Sequence, residues 1–146
     1  MGIAALVAWV ITALGGFVML GRWISRGGLR QQHSGATRFP AGLVFSHFGL
    51  AAGGLVVWIA YLLTDKDRLA WVAFVLLIAV ALLGFIMLIR WIPVYRGRAV
   101  AVGSGAAGSR PVEAEPAERH LPVPVVVAHG LFAAVTVVLV LLTALG

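Results

Sequence analysis

Cysteine is absent from the 146 residues, and aspartate and glutamate together number only five. Without cysteine there is no disulfide, no thiolate-bound zinc, no iron–sulfur cluster and no Cys-x-x-Cys-His attachment of a c-type haem. No acid lies within a long apolar run, and neither a nucleophile beside a base nor a phosphate-cradling glycine loop occurs. Hydrolytic chemistry therefore has nothing to build on. Charge is scarce altogether: 11% of residues carry it, against about 25% in a soluble domain. The interior charges and broken segments expected around a transporter's substrate path are missing as well.

Apolar sequence takes their place. Hydrophobic residues make up 62% of the chain, and the mean hydropathy is +1.05. A bilayer core about 30 Å thick is crossed by roughly 20 helical residues. Four stretches are long enough: Gly2–Ile24, Ala41–Leu63, Leu69–Ile92 and Leu121–Leu145. They lack the alternation of a barrel wall, so the expected class is all-α, a single integral membrane four-helix bundle in the lipid bilayer. The first stretch has no basic n-region and a poor cleavage site at Gly21–Arg26, and it reads as a helix rather than a signal peptide.

The cations give an expected orientation. Arg22, Arg26, Arg30 and Arg38 flank or fill the first connection, and Arg90, Arg96, Arg98, Arg110 and Arg119 the third. The short second connection has only Lys66 and Arg68, offset by Asp65 and Asp67. Positive charge stays inside, which places connections one and three in the cytoplasm and both termini outside, in a plasma membrane of bacterial type. The net charge of +6 is then a topology signal and an attraction to anionic lipid. No basic, aromatic-studded soluble domain is present to bind nucleic acid.

The chain also repeats itself. Gly16-Phe-Val-Met-Leu-Gly-Arg-Trp-Ile24 matches Gly84-Phe-Ile-Met-Leu-Ile-Arg-Trp-Ile92 at seven of nine positions, 68 residues apart. The second and fourth stretches match at an offset of 82, with Pro40 on Pro122, His47 on His129 and Ala51 on Ala133. The expectation is two tandem parallel two-helix repeats, residues 1–64 and 69–146, related by an axis along the membrane normal. A Gly-, Ala- and Pro-rich insertion accounts for the difference in offset, and a mobile cytoplasmic loop is expected over residues 99–117.

The repeat puts two histidines at equal depth. Each lies seven residues beyond its proline, about 10 Å into the membrane at 1.5 Å per residue. An ionisable ring in an apolar span is a candidate functional site. Gly16 and Gly84 fall near the same depth, where they remove bulk, with Phe48 and Phe132 close by. Arg22 and Arg90 end their helices, placed to meet propionates or lipid headgroups, and Trp23 and Trp91 read as interfacial aromatics.

Three site chemistries compete. The first is one haem b with His47 and His129 as axial metal ligands, Gly16 and Gly84 clearing space for the macrocycle, and Arg22 and Arg90 on its rim. The second is a Cu(I) site that adds Met19 and Met87. In the third the histidines are interhelical hydrogen-bond glue, with Ser46, Thr136 or a carbonyl as partner, in a cofactor-free accessory subunit. Gly49-x-x-x-Gly53 suggests close helix approach. His33, His120 and the acids Glu113, Glu115 and Glu118 read as solvated.

With its paired histidines in a four-helix bundle, the chain resembles the membrane b-type cytochromes, the cytochrome b561-like group among them. The resemblance rests on His47 and His129. It implies haem b, electron transfer, and exchange with a quinone or a redox partner protein, in a homodimer or a larger membrane complex. Cytochrome b561-type proteins usually hold two haems on four helical histidines. Here one half of the membrane has no histidine, so the resemblance implies one haem.

Overall fold

A computed structural model of the chain describes residues 1–103 and 115–146, with 98–103 described by backbone alone. Four long helices dominate it: α1 (Gly2–Ser25), α2 (Ala41–Thr64), α3 (Asp67–Gly103) and α4 (Val123–Leu145). All four are long and apolar enough to cross a membrane, as expected for segments whose backbone groups must be satisfied without water. They form an up-down-up-down bundle. The most extensive contacts join α1 to α4 and α2 to α3, with lesser seams between α1 and α2 and between α3 and α4.

Local chemistry sets the helix ends. Helix α1 stops in a Schellman turn: Gly27, at φ +86°, donates to the Ile24 carbonyl, and Gly28 donates to that of Trp23. Glycine is also required at 28 because a Cβ there would lie 2.2 Å from the Trp23 indole. Pro40 and Pro122 stand at the N-caps of α2 and α4, where a missing N–H costs no intrahelical bond. Asp65, at φ 52°, closes α2 through an N–H bond to Tyr61. The chain then turns at once into α3.

Helix α3 does not stop near Ile92 as the sequence suggested. It runs through Pro93 to Gly103, and the continued turn stacks Tyr95 on Trp91, with ring centres 5.2 Å apart. Residues 99–103 of the expected loop are thus helical, a short 3₁₀ turn begins at Ala117, and residues 104–114, with Arg110 and Glu113, lie outside the described residues.

Two buried clusters hold the ends of the bundle. At the end carrying the chain termini, Ala5, Trp9, Trp58, Ala73 and Val140 pack together, and Trp58 donates its indole N–H to the Gly2 carbonyl. At the opposite end, called here the loop end, Trp23, Phe39, Val44, Trp91 and Leu121 form the second cluster. Trp23 and Trp91 are therefore buried within the protein rather than turned to the lipid interface: Trp23 bonds to Thr37 and Trp91 to the Glu118 carbonyl. The Gly49 and Gly53 stripe does not mediate packing, since a Cβ at either would meet nothing within 4 Å. Gly54 does, with the Trp9 ring 3.0 Å from its would-be Cβ.

Glu118 also departs from the sequence expectation. It is fully buried, accepting from the Arg38 amide and the Thr37 hydroxyl, and so ties the 3₁₀ turn at Ala117–His120 to the α1–α2 connection. Gln31 and Gln32 reinforce the closure by bonding to Glu115, Ala117, Phe39 and Ala41. Removing a carboxyl that satisfies two donors leaves them orphaned, at about 1–3 kcal/mol. Glu118→Ala is expected to lower the thermal midpoint in detergent, read by circular dichroism, and Glu118→Gln to lower it less.

Candidate functional site

The two histidines face each other across the bundle. Their ring centroids lie 6.3 Å apart, with ring planes at 53°. Both rings are half-buried, on helices that are not each other's main packing partners. His47 leans from α2 onto α3 and His129 from α4 onto α1.

Each ring is held in the same way. His47 Nδ1 lies 3.0 Å from the Val80 carbonyl, and His129 Nδ1 lies 2.9 Å from that of Thr12. A carbonyl can only accept, so Nδ1 carries the proton in both rings. The lone pair is then on Nε2, and neither Nε2 has a hydrogen-bond partner among the described residues. A metal-binding histidine commonly shows this pattern, in which one nitrogen is anchored to a carbonyl and the other is left as a donor.

The glycines explain how the rings reach those carbonyls. A Cβ at Gly16 would lie 3.3 Å from His129 Cε1, and one at Gly84 would lie 3.3 Å from His47 Cε1. Each glycine stands four residues beyond its acceptor, Thr12 or Val80, one helical turn on. A side chain there would push the imidazole off its carbonyl. The immediate task of Gly16 and Gly84 is thus to seat a histidine. Of the expected partners, a backbone carbonyl is the one used at each ring and Ser46 and Thr136 are not: the Thr136 hydroxyl donates to Phe132 and approaches Thr12 Oγ1 at 3.5 Å.

The other candidates are less central. Arg22 and Arg90 are exposed at the loop end, and Arg90 Nη1 donates to the Arg38 carbonyl at 3.2 Å. Phe48 meets Phe17 edge-on at 5.5 Å, between α2 and α1. Met19 and Met87 pack against the loop-end cluster with the tryptophans. His33 is exposed, while His120 Nε2 lies 3.4 Å from Glu115, which also pairs with Arg119. Among the described residues no three His, Asp or Glu side chains converge to hold an ion.

No protein-family model, no curated protein and no solved structure matches this chain.

Gly16→Val and Gly84→Val are each expected to destabilise the bundle by about 1–3 kcal/mol through overpacking. In protein labelled with ¹⁵N-histidine, each change should abolish the Nδ1–H signature of one ring, His129 for Gly16 and His47 for Gly84, and leave the other intact. Loss at both rings, or at neither, would contradict this pairing.

Proposed function

We propose that this protein is a membrane b-type cytochrome holding one haem between His47 and His129 and taking part in single-electron transfer. The observation that carries the reading is the ring pair itself: two imidazoles anchored through Nδ1, with Nε2 unpartnered and centroids 6.3 Å apart. A ring nitrogen lies about 1.1 Å from its ring centre and a metal–imidazole bond is about 2.0–2.1 Å, so two rings sharing one metal in line have centroids about 6.2–6.4 Å apart.

The donor set favours haem over a bare ion. Two imidazoles are half of a tetrahedral site, and no third acid or histidine joins them among the described residues. A haem brings its own four equatorial nitrogens and needs only two axial ligands. When bound, its iron supplies a one-electron carrier. His47 and His129 would hold it, Val80 and Thr12 would fix the ring tautomers, and Gly16 and Gly84 would keep the rings seated. Arg22 and Arg90, at the loop end, are candidates for propionates or headgroups. A Cu(I) site would need the thioethers of Met19 and Met87, which are engaged in apolar packing.

Several matched positions support descent from a two-helix unit. The acceptors Thr12 and Val80 and the glycines 16 and 84 are separated by 68, and the histidines by 82. At the same offsets Ala5 and Ala73, Trp9 and Leu77, Trp23 and Trp91, Phe39 and Leu121, and Trp58 and Val140 are all buried. The clustering of arginines at the loop end supports a cytoplasmic placement for that end. A single haem site nearer one face suits lateral exchange with a quinone or a partner redox subunit, in a homodimer or larger complex, better than transfer across the whole membrane.

The test is a reduced-minus-oxidised absorption spectrum of detergent-purified protein expressed with ample haem. One haem per chain with a sharp α-band is expected, and His47→Ala or His129→Ala should each abolish the six-coordinate signature. A colourless wild type whose variants fold equally well would overturn the cytochrome reading and leave a cofactor-free accessory subunit.

A further inference from the structure

Helices α1 and α4 carry two concavities in line. Toward the loop end, Arg22, Arg26, Glu115, Arg119 and His120 line a pocket floored by Leu121 and Pro122. Three guanidinium groups face one carboxylate there, giving a local charge of +2 with His120 neutral. Glu115 is taken up by Arg119 and His120, and neither Arg22 nor Arg26 has an acidic partner among the described residues. His120 Nδ1 is buried without a hydrogen-bond partner. The second concavity is a largely apolar groove on the same helix pair, lined among others by Leu14, Gly15, Val18, Ala128, Phe132 and His129. Val18 precedes Arg22 by four residues, about 6 Å along the helix, so the groove lies next to the cationic pocket along α1.

We infer that this face binds one molecule of an anionic phospholipid, its phosphodiester in the Arg22–Arg26–Arg119 pocket and one acyl chain along the groove. Charge complementarity selects the head, since basic pockets between helices at a membrane interface bind anionic headgroups. The adjoining apolar groove selects a lipid over a free anion. The positions corresponding to Gly15, Arg26 and Arg119 are Leu83, Val94 and Thr37, while Arg22 and His120 correspond to Arg90 and Arg38, so the two helix pairs differ in the bulk at the groove and in two of the three head-binding arginines. The groove borders His129, so the lipid site adjoins the histidine pair, and the retention of lipid is read separately from the presence of haem.

Native mass spectrometry of delipidated protein titrated with phosphatidylglycerol, phosphatidylcholine or inorganic phosphate tests the inference. The wild type is expected to retain one phosphatidylglycerol per chain, at least five-fold more readily than phosphatidylcholine, with excess phosphate unable to displace it. The double variant Arg22→Ala/Arg26→Ala should lose at least five-fold in retention. Ala128→Phe, which fills the groove without altering charge, should lose retention too. Helix content and thermal midpoint of each variant establish that it is folded. Equal retention of both lipids by all three proteins would overturn the inference, and so would displacement of phosphatidylglycerol by phosphate, which needs only the cationic pocket.

Discussion

An imidazole N–H in apolar surroundings has to find an acceptor, and most of the middle of this bundle follows from that requirement. The nearest acceptors are helix carbonyls that already receive an intrahelical bond. A second donor can reach such an oxygen only from the side and only at short range. Gly16 and Gly84 make that approach possible, each one turn beyond the carbonyl its neighbour's histidine uses. The packing of α1 on α4 and of α2 on α3 is the consequence at the level of the fold. The helices that share a histidine contact are the ones most extensively joined.

The loop end depends on a second constraint of the same type. Once the α1–α2 connection folds back over the bundle, the Thr37 hydroxyl and the Arg38 amide lose access to water and need a buried acceptor. Glu118 supplies both oxygens from one carboxyl. This fixes the approach of the chain to Pro122 and with it the start of α4. The register of His129 on α4 thus depends on a contact made outside the apolar span. The termini end needs no such device, because the close turn at Asp65 already holds α2 to α3.

How much of this was legible in the sequence depends on the range of the interaction. The four spans are written in hydropathy, and their limits fall close to the structural ones at Gly2, Ala41 and Leu145. Helix α3 runs past the expected limit at Ile92 and through Pro93. A proline within a helix forfeits one bond and often ends it, but the ring stack of Tyr95 on Trp91 lies beyond it and favours continuation. The matched phrases around His47 and His129 gave their equal depth, but that the two rings approach each other depends on helix rotation and was not legible. Their acceptors were not either, since the choice of carbonyl depends on helix rotation at 100° per residue. Glu118 was misread as solvated for a similar reason: its burial is decided by a loop that closes 80 residues away in sequence. The Gly49-x-x-x-Gly53 stripe shows the converse. The motif is local, but the face it lies on meets no neighbour.

Hydrogen-bond glue accounts for half of what each histidine does. An interhelical bond in a membrane averages about 0.6 kcal/mol. A ring that gains it at Nδ1 leaves Nε2 with no hydrogen-bond partner among the described residues, so only one of its two nitrogens serves the packing. Serine or threonine would donate one bond with no second nitrogen to satisfy, as Thr136 does toward Phe132 in the same helix. The two ring centres stand 6.3 Å apart with their planes at 53°, close enough for both rings to serve one ligand. The anchoring of Nδ1 leaves Nε2 of each ring as the free donor atom, and that is the feature on which the proposed haem site relies.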